Sequence, residues 1–167
     1  MFDRWRGRFA GLAVAATFAC LAGIAAVNAT AQTTPALVVR DPAGALIARV
    51  PLAPDGEFTL RYRNSLYHSL AEERFVVTDA GQLRLVELAA DELAVLEEYY
   101  AIDQPAVRSD GDRAWTAVPA LPVEEATLRI AATDRGQRTL IVEGQPSMEL
   151  WRFVDDGDPS VLLEVDS

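Results

Sequence analysis

The side chains best equipped for chemistry crowd into one short stretch. It runs Arg61-Tyr62-Arg63-Asn64-Ser65-Leu66-Tyr67-His68-Ser69-Leu70-Ala71-Glu72-Glu73-Arg74-Phe75. Arg61, Tyr62, Arg63, Asn64, Ser65, His68 and Glu73 are the candidate binding residues. Guanidinium groups pair with carboxylates, so a concave site built from Arg61, Arg63 and Asn64 would take a small organic anion. Ser65 or Ser69 beside His68 and a neighbouring glutamate invites a second reading, a serine hydrolase. His68 is the single histidine, so it would have to be the base. There is no Gly-x-Ser-x-Gly elbow, and both serines lie within a few residues of His68. The catalytic set is therefore expected to be empty, and the serine and histidine side chains to satisfy a turn.

Metal chemistry has less to work with. One histidine and one cysteine, Cys20, leave no ordinary zinc site. Asp110-Gly111-Asp112 and Asp155-Asp156-Gly157-Asp158 offer oxygen ligands but lack the distal glutamate of a calcium loop. No metal and no cofactor are expected.

These residues must be positioned by strands. Phe58, Leu60 and Tyr62 alternate with Thr59, Arg61 and Arg63, which puts the first three on one face of a strand at 57–63. Similar runs predict strands at 37–40, 45–52, 72–78, 83–88, 126–132, 138–143, 148–154 and 161–165. Asp41-Pro42-Ala43-Gly44 and Pro54-Asp55-Gly56 read as turns. Leu93, Leu96 and Tyr100 recur at helical spacing, predicting one short helix over 91–100 with Asp91 as its cap. Residues 104–113 read as a polar loop, and Pro119 and Pro122 as an extended connection or an edge. Trp151 alternates with Phe153 and reads as core, whereas Tyr99 and Tyr100 cannot both face inward. The expected class is all-β, an antiparallel sandwich or barrel of about nine strands with one helix.

The first residues carry Arg4, Arg6 and Arg8 against Asp3, followed by a weakly apolar run over 9–27 rich in Ala and Gly. Ala29 and Ala31 fit the small-x-small pattern of a signal-peptidase site, so 1–31 reads as a secretory signal cut after Ala31. The alternative is an uncleaved anchor, since the run reaches the ~17–25 residues a bilayer span needs. Residues 32–35 then form a tether and 36–167 one β-rich domain. The export leaves it periplasmic or extracellular, touching a membrane only through an uncleaved amino-terminal segment. The 167-residue chain has a net charge of −10 and its 15 basic residues are all arginine. Such a surface argues against nucleic acid as a partner.

The pattern Phe58-x-Leu60-x-Tyr62-x-Asn64-Ser65, followed by Glu73-x-Phe75, resembles a small family of uncharacterised exported bacterial β-domains. The resemblance spans about 52–165 and centres on Tyr62, Ser65 and Glu73. Asn64 stands where that family has His, and Leu66 where it often has Val. Members are often encoded beside TAXI-type TRAP transporters, which import organic acids. The resemblance implies a non-enzymatic accessory or binding domain, with a membrane transporter or solute-binding protein as partner. A purely structural, envelope-interacting β-domain is the other non-enzymatic reading.

Overall fold

The computed structural model describes residues 35–121 and 123–166. The expected signal at 1–31 lies outside the described residues, as does most of the tether. Among the described residues, twelve strands and one α-helix are formed in the order β1 (Ala36–Arg40), β2 (Leu46–Pro51), β3 (Glu57–Arg63), β4 (Leu70–Val77), β5 (Leu83–Ala90), α1 (Leu93–Tyr99), β6 (Val107–Arg108), β7 (Trp115–Ala117), β8 (Glu124–Glu125), β9 (Thr127–Ala131), β10 (Thr139–Ile141), β11 (Met148–Glu149) and β12 (Ser160–Asp166). They make two antiparallel sheets. The smaller has the order β2-β1-β12-β9, and the larger runs β11-β10-β3-β4-β5-β7-β6 with β8 paired to β5.

The two sheets face each other across a shared apolar layer. Leu37, Val39 and Leu163 from the small sheet meet Phe58, Leu60 and Phe75 from the large one. This is a sandwich, the first of the two architectures the alternation allowed. Alternation fixes which side chains enter: Phe58 lies opposite Phe75, Leu60 opposite Glu73, and Tyr62 opposite Ala71. All six therefore point to the inner face of the large sheet. The small sheet covers only part of that face. The rest is covered by α1, whose Val95 and Leu96 pack on Ala71, Leu88, Ala90 and Ala117. Tyr62, Glu73 and Arg138 sit where these two covers meet.

The nine predicted runs each contain a strand, and three short ones are added. β6 lies inside the expected polar loop. β7 and β8 hold on to the backbone of β5, at Leu88 to Ala90 and at Leu83 and Arg84 respectively. Strands of two or three residues have no period to detect, so pairing alone creates them.

The run at 148–154 departs from expectation. It is extended only to Glu149, and Leu150–Arg152 then tightens into a 3-10 turn closed by the Phe153 N–H on the Leu150 carbonyl at 3.0 Å. That turn drives Leu150 fully into the core and turns Phe153 out to 51% exposure, so Phe153 is not core. Trp151 is half-buried under the Arg152 guanidinium, 4.6 Å from its ring centre. The helix also starts later than expected, at Leu93. Asp91 does not cap it, because its carboxylate is held by Arg113 Nη1 at 2.9 and 3.0 Å. Among the described residues, no helix is long and apolar enough to cross a membrane.

Candidate functional site

Two loops and the end of α1 close around the carboxyl end of β3. The first loop follows Arg63. Asn64 is only 4% exposed, yet its side chain is fully used as backbone scaffolding on one side. Its Oδ1 accepts from the N–H groups of Leu66 (2.9 Å) and Tyr67 (3.0 Å), an Asx turn. Its carbonyl accepts from His68 N–H, and its own N–H donates to Ser69. The turn forces His68 to a φ of 54°. Arg63 Nη1 donates to the His68 carbonyl at 2.8 Å, clamping the same turn from outside.

The second loop joins β9 to β10 at 133–137. Thr133 holds it through Oγ1, which accepts from Gly136 N–H, and through its carbonyl, which accepts from Gln137 N–H. Gln137 has a φ of 46°. The Arg63 N–H donates to the Gly136 carbonyl at 2.7 Å, so the two loops are laced together by backbone. Among the described residues, the only two non-glycine positions with positive φ are His68 and Gln137, one in each loop. Such conformations persist only where the surroundings over-determine them.

Between the loops and the end of α1 lies a cleft of about 360 Å³. Tyr62, Arg63, Asn64 and Ser65 line one part, Arg135, Gly136 and Arg138 another, and Tyr99 and Tyr100 a third. Its floor is a closed hydrogen-bonded chain. Tyr100 OH donates to Glu73 Oε1 at 2.7 Å, and Tyr62 OH meets Tyr100 OH at 2.7 Å. A hydroxyl has one proton, so Tyr62 must be the donor in that second bond. Arg138 Nη1 donates to Glu73 Oε2 at 2.9 Å and lies over the Tyr62 ring. Both tyrosine protons are thus committed, and Glu73 is neutralised in place.

What stays uncommitted is positive. Arg135 makes no hydrogen bond or ion pair among the described residues, and Arg63 meets only the His68 carbonyl. The Asn64 Nδ2 makes no hydrogen bond among them either, while its partner oxygen is doubly used. Arg84 and Arg108 also lack an acid among the described residues, Arg108 lying over the Trp115 ring, but neither lines the cleft, whereas Arg40, Arg49, Arg61, Arg74, Arg113, Arg129, Arg138 and Arg152 all hold carboxylates. A larger groove of about 430 Å³ runs from Arg49 to Phe153, but both of its arginines are paired, Arg49 to Asp166 and Arg152 to Glu149.

Burial raises the Tyr62 hydroxyl above its ordinary range, with the Tyr100 hydrogen bond opposing. Burial and then the Glu73 charge push Tyr100 much further up. A group whose folded pKa is raised contributes stability fully present below its unfolded value, near 10, and lost as pH rises above that. The protein is therefore expected to lose stability steeply in alkali, with tyrosinate absorbance appearing together with unfolding. Tyr100→Phe is expected to flatten that loss and to cost about 1–2 kcal/mol at neutral pH, because Glu73 loses a donor. An unchanged alkaline profile in Tyr100→Phe would show that the chain does not couple to folding.

Of the residues picked from sequence, Tyr62, Arg63, Asn64 and Ser65 line the cleft and Glu73 holds its floor. Arg61 does not belong with them. It leaves the opposite face of the large sheet, where its Nε bonds Glu72 at 2.9 Å. His68 contributes its carbonyl, while its imidazole makes no hydrogen bond among the described residues. The Ser-His reading accordingly gains no hydrogen-bonded pair, and the buried Ser69 Oγ has no partner. Arg135 and Arg138 were not picked as site residues, because Arg138 is 65 positions from Glu73 and only the β10–β3 and β3–β4 pairings together join them. Tyr99 is the exposed member of its pair, at 52%, and stands at the mouth. No group of three or more His, Cys, Asp or Glu side chains is placed to hold a metal among the described residues.

The chain matches no family model, no curated protein and no solved structure.

Proposed function

We propose that this chain is an exported, non-enzymatic binding domain that takes a small carboxylate in the cleft between the 64–69 turn and the 133–137 loop. The observation that carries this reading is the set of donors without acceptors: Arg63, Arg135 and the Asn64 amide line one cleft. An open amide nitrogen and two guanidinium groups left without an acid in one cleft, in a chain of net charge −10, mark a place where acceptors are expected from outside. The net charge does not forbid an anion, because unlike local contacts it acts through ~8 Å of screening at physiological salt. The floor is pre-organised, which limits the ordering cost of binding. The positively charged start of the chain and the pattern at Tyr62, Ser65 and Glu73 support the wider role, an accessory to TRAP-type uptake of organic acids.

A thermal-shift screen with small carboxylates tests the binding. A ligand of the folded state raises the melting temperature in a concentration-dependent way. The expected result is a saturable rise with at least one carboxylate, abolished in Arg63→Ala. No rise for any carboxylate into the tens of millimolar, with the protein folded, would end the proposal.

A further inference from the structure

Resting on that reading, we infer that the ligand is a dicarboxylate, with one carboxylate held by Arg63 and the Asn64 amide and the other by Arg135. Charge accounting leads there first. Two guanidinium groups in the cleft lack an acid, and Arg138 is not a third, because Glu73 and the Tyr62 ring already hold it. A monocarboxylate would neutralise one cation and leave the other without an acid. A dianion satisfies both.

Reach comes second. The 2.7 Å bond from Arg63 N–H to the Gly136 carbonyl sets residue 63 beside the 133–137 loop. The side chains of Arg63 and Arg135 therefore leave from neighbouring backbone and can serve one small molecule. They come from different loops, however, so each presents its own fork. Arg63 is further fixed by its Nη1 bond to His68, which leaves Nε–H, both Nη2 hydrogens and the second Nη1 hydrogen as free donors. Two planar forks match two planar carboxylates, whereas inorganic phosphate puts both charges on one centre.

Space comes third. A cleft of about 360 Å³ exceeds what one tetrahedral anion fills, and a short carbon chain between two carboxylates would occupy it. The floor offers that chain no competing donor, since both tyrosine protons point inward.

Calorimetry with succinate, butyrate and inorganic phosphate on the folded chain decides this. Succinate and butyrate have the same carbon count and differ in one carboxylate. Succinate is expected to bind at least about tenfold more tightly than butyrate, the equivalent of 1.4 kcal/mol. In Arg135→Ala that advantage is expected to shrink to within about twofold, with butyrate little changed. Arg135 is exposed and makes no hydrogen bond among the described residues, so the variant keeps its fold, and circular dichroism checks that it has. Equal affinities for succinate and butyrate would overturn the dicarboxylate while leaving carboxylate binding intact. Phosphate binding more tightly than succinate would overturn it in favour of a single-centre anion. Binding of none of the three, together with an empty carboxylate screen, would remove the carboxylate reading itself.

Discussion

Glu72→Ala is expected to lower folding stability by about 2–3 kcal/mol, read from the urea midpoint, without changing ligand binding in the cleft. Glu72 is 4% exposed on the outer face of the large sheet, back to back with the cleft floor. Arg61 Nε lies 2.9 Å from Oε1, Arg113 Nε 3.4 Å from the same oxygen, and Arg74 Nη2 3.6 Å from Oε2. Removing one partner of a buried charge set costs ~3–5 kcal/mol when the other side has nowhere to go. Here the arginines differ. Arg61 and Arg74 are more than a third exposed and can turn to water, and Arg74 keeps Glu87 at 2.7 Å. Arg113 is 13% exposed, and its Nε, close to Glu72 without being hydrogen-bonded to it, has no other acceptor. Asp91 still holds its Nη1, which brings the expected cost below the full range. Glu72→Gln keeps an acceptor for Arg61 and should lose less than the alanine variant. A cost under about 1 kcal/mol for Glu72→Ala would show that all three arginines reach solvent once the carboxylate is gone.

That same pair of neighbours shows what was readable in the sequence. Period two puts Glu72 and Glu73 on opposite faces of β4, and Arg61 and Tyr62 on opposite faces of β3. The alternation that correctly placed Phe58, Leu60 and Tyr62 therefore already separated Arg61 from the site. Grouping it with Tyr62 followed nearness in sequence and ignored the pleat. Arg63 has the parity of Arg61 but still lines the cleft, because it is the last residue of β3 and the chain leaves the sheet there. Turns were legible for a similar local reason. Gly44 and Gly56 sit at φ values of 88° and 69°, where a side chain is strained. Arg135-Gly136 was legible as a turn too, but its part in the site was not, because that depends on β10 pairing with β3, a contact no local pattern encodes. The Met148–Glu149 strand was overextended because Trp151 and Phe153 alternate, while core space existed only for Leu150.

The other large effect belongs to the sandwich core. Phe58→Ala is expected to cost about 4 kcal/mol, enough to consume much of the ~5–15 kcal/mol that holds a domain of this size. Phe58 is buried and lies directly across from Phe75, with ring centres 5.1 Å apart and planes within 6°. Truncation removes the buried ring, leaves a cavity between two sheets that cannot easily collapse, and ends an aromatic pair worth ~0.5–1.5 kcal/mol. No disulfide can offset the loss, since the single cysteine, Cys20, has no partner within the chain. Phe58→Leu keeps apolar volume and is expected to recover more than half of it. Urea denaturation of both variants checks this. If Phe58→Ala loses less than about 2 kcal/mol, the two sheets close over the gap, and the rigid floor that the cleft rests on would have to be supported by α1 alone.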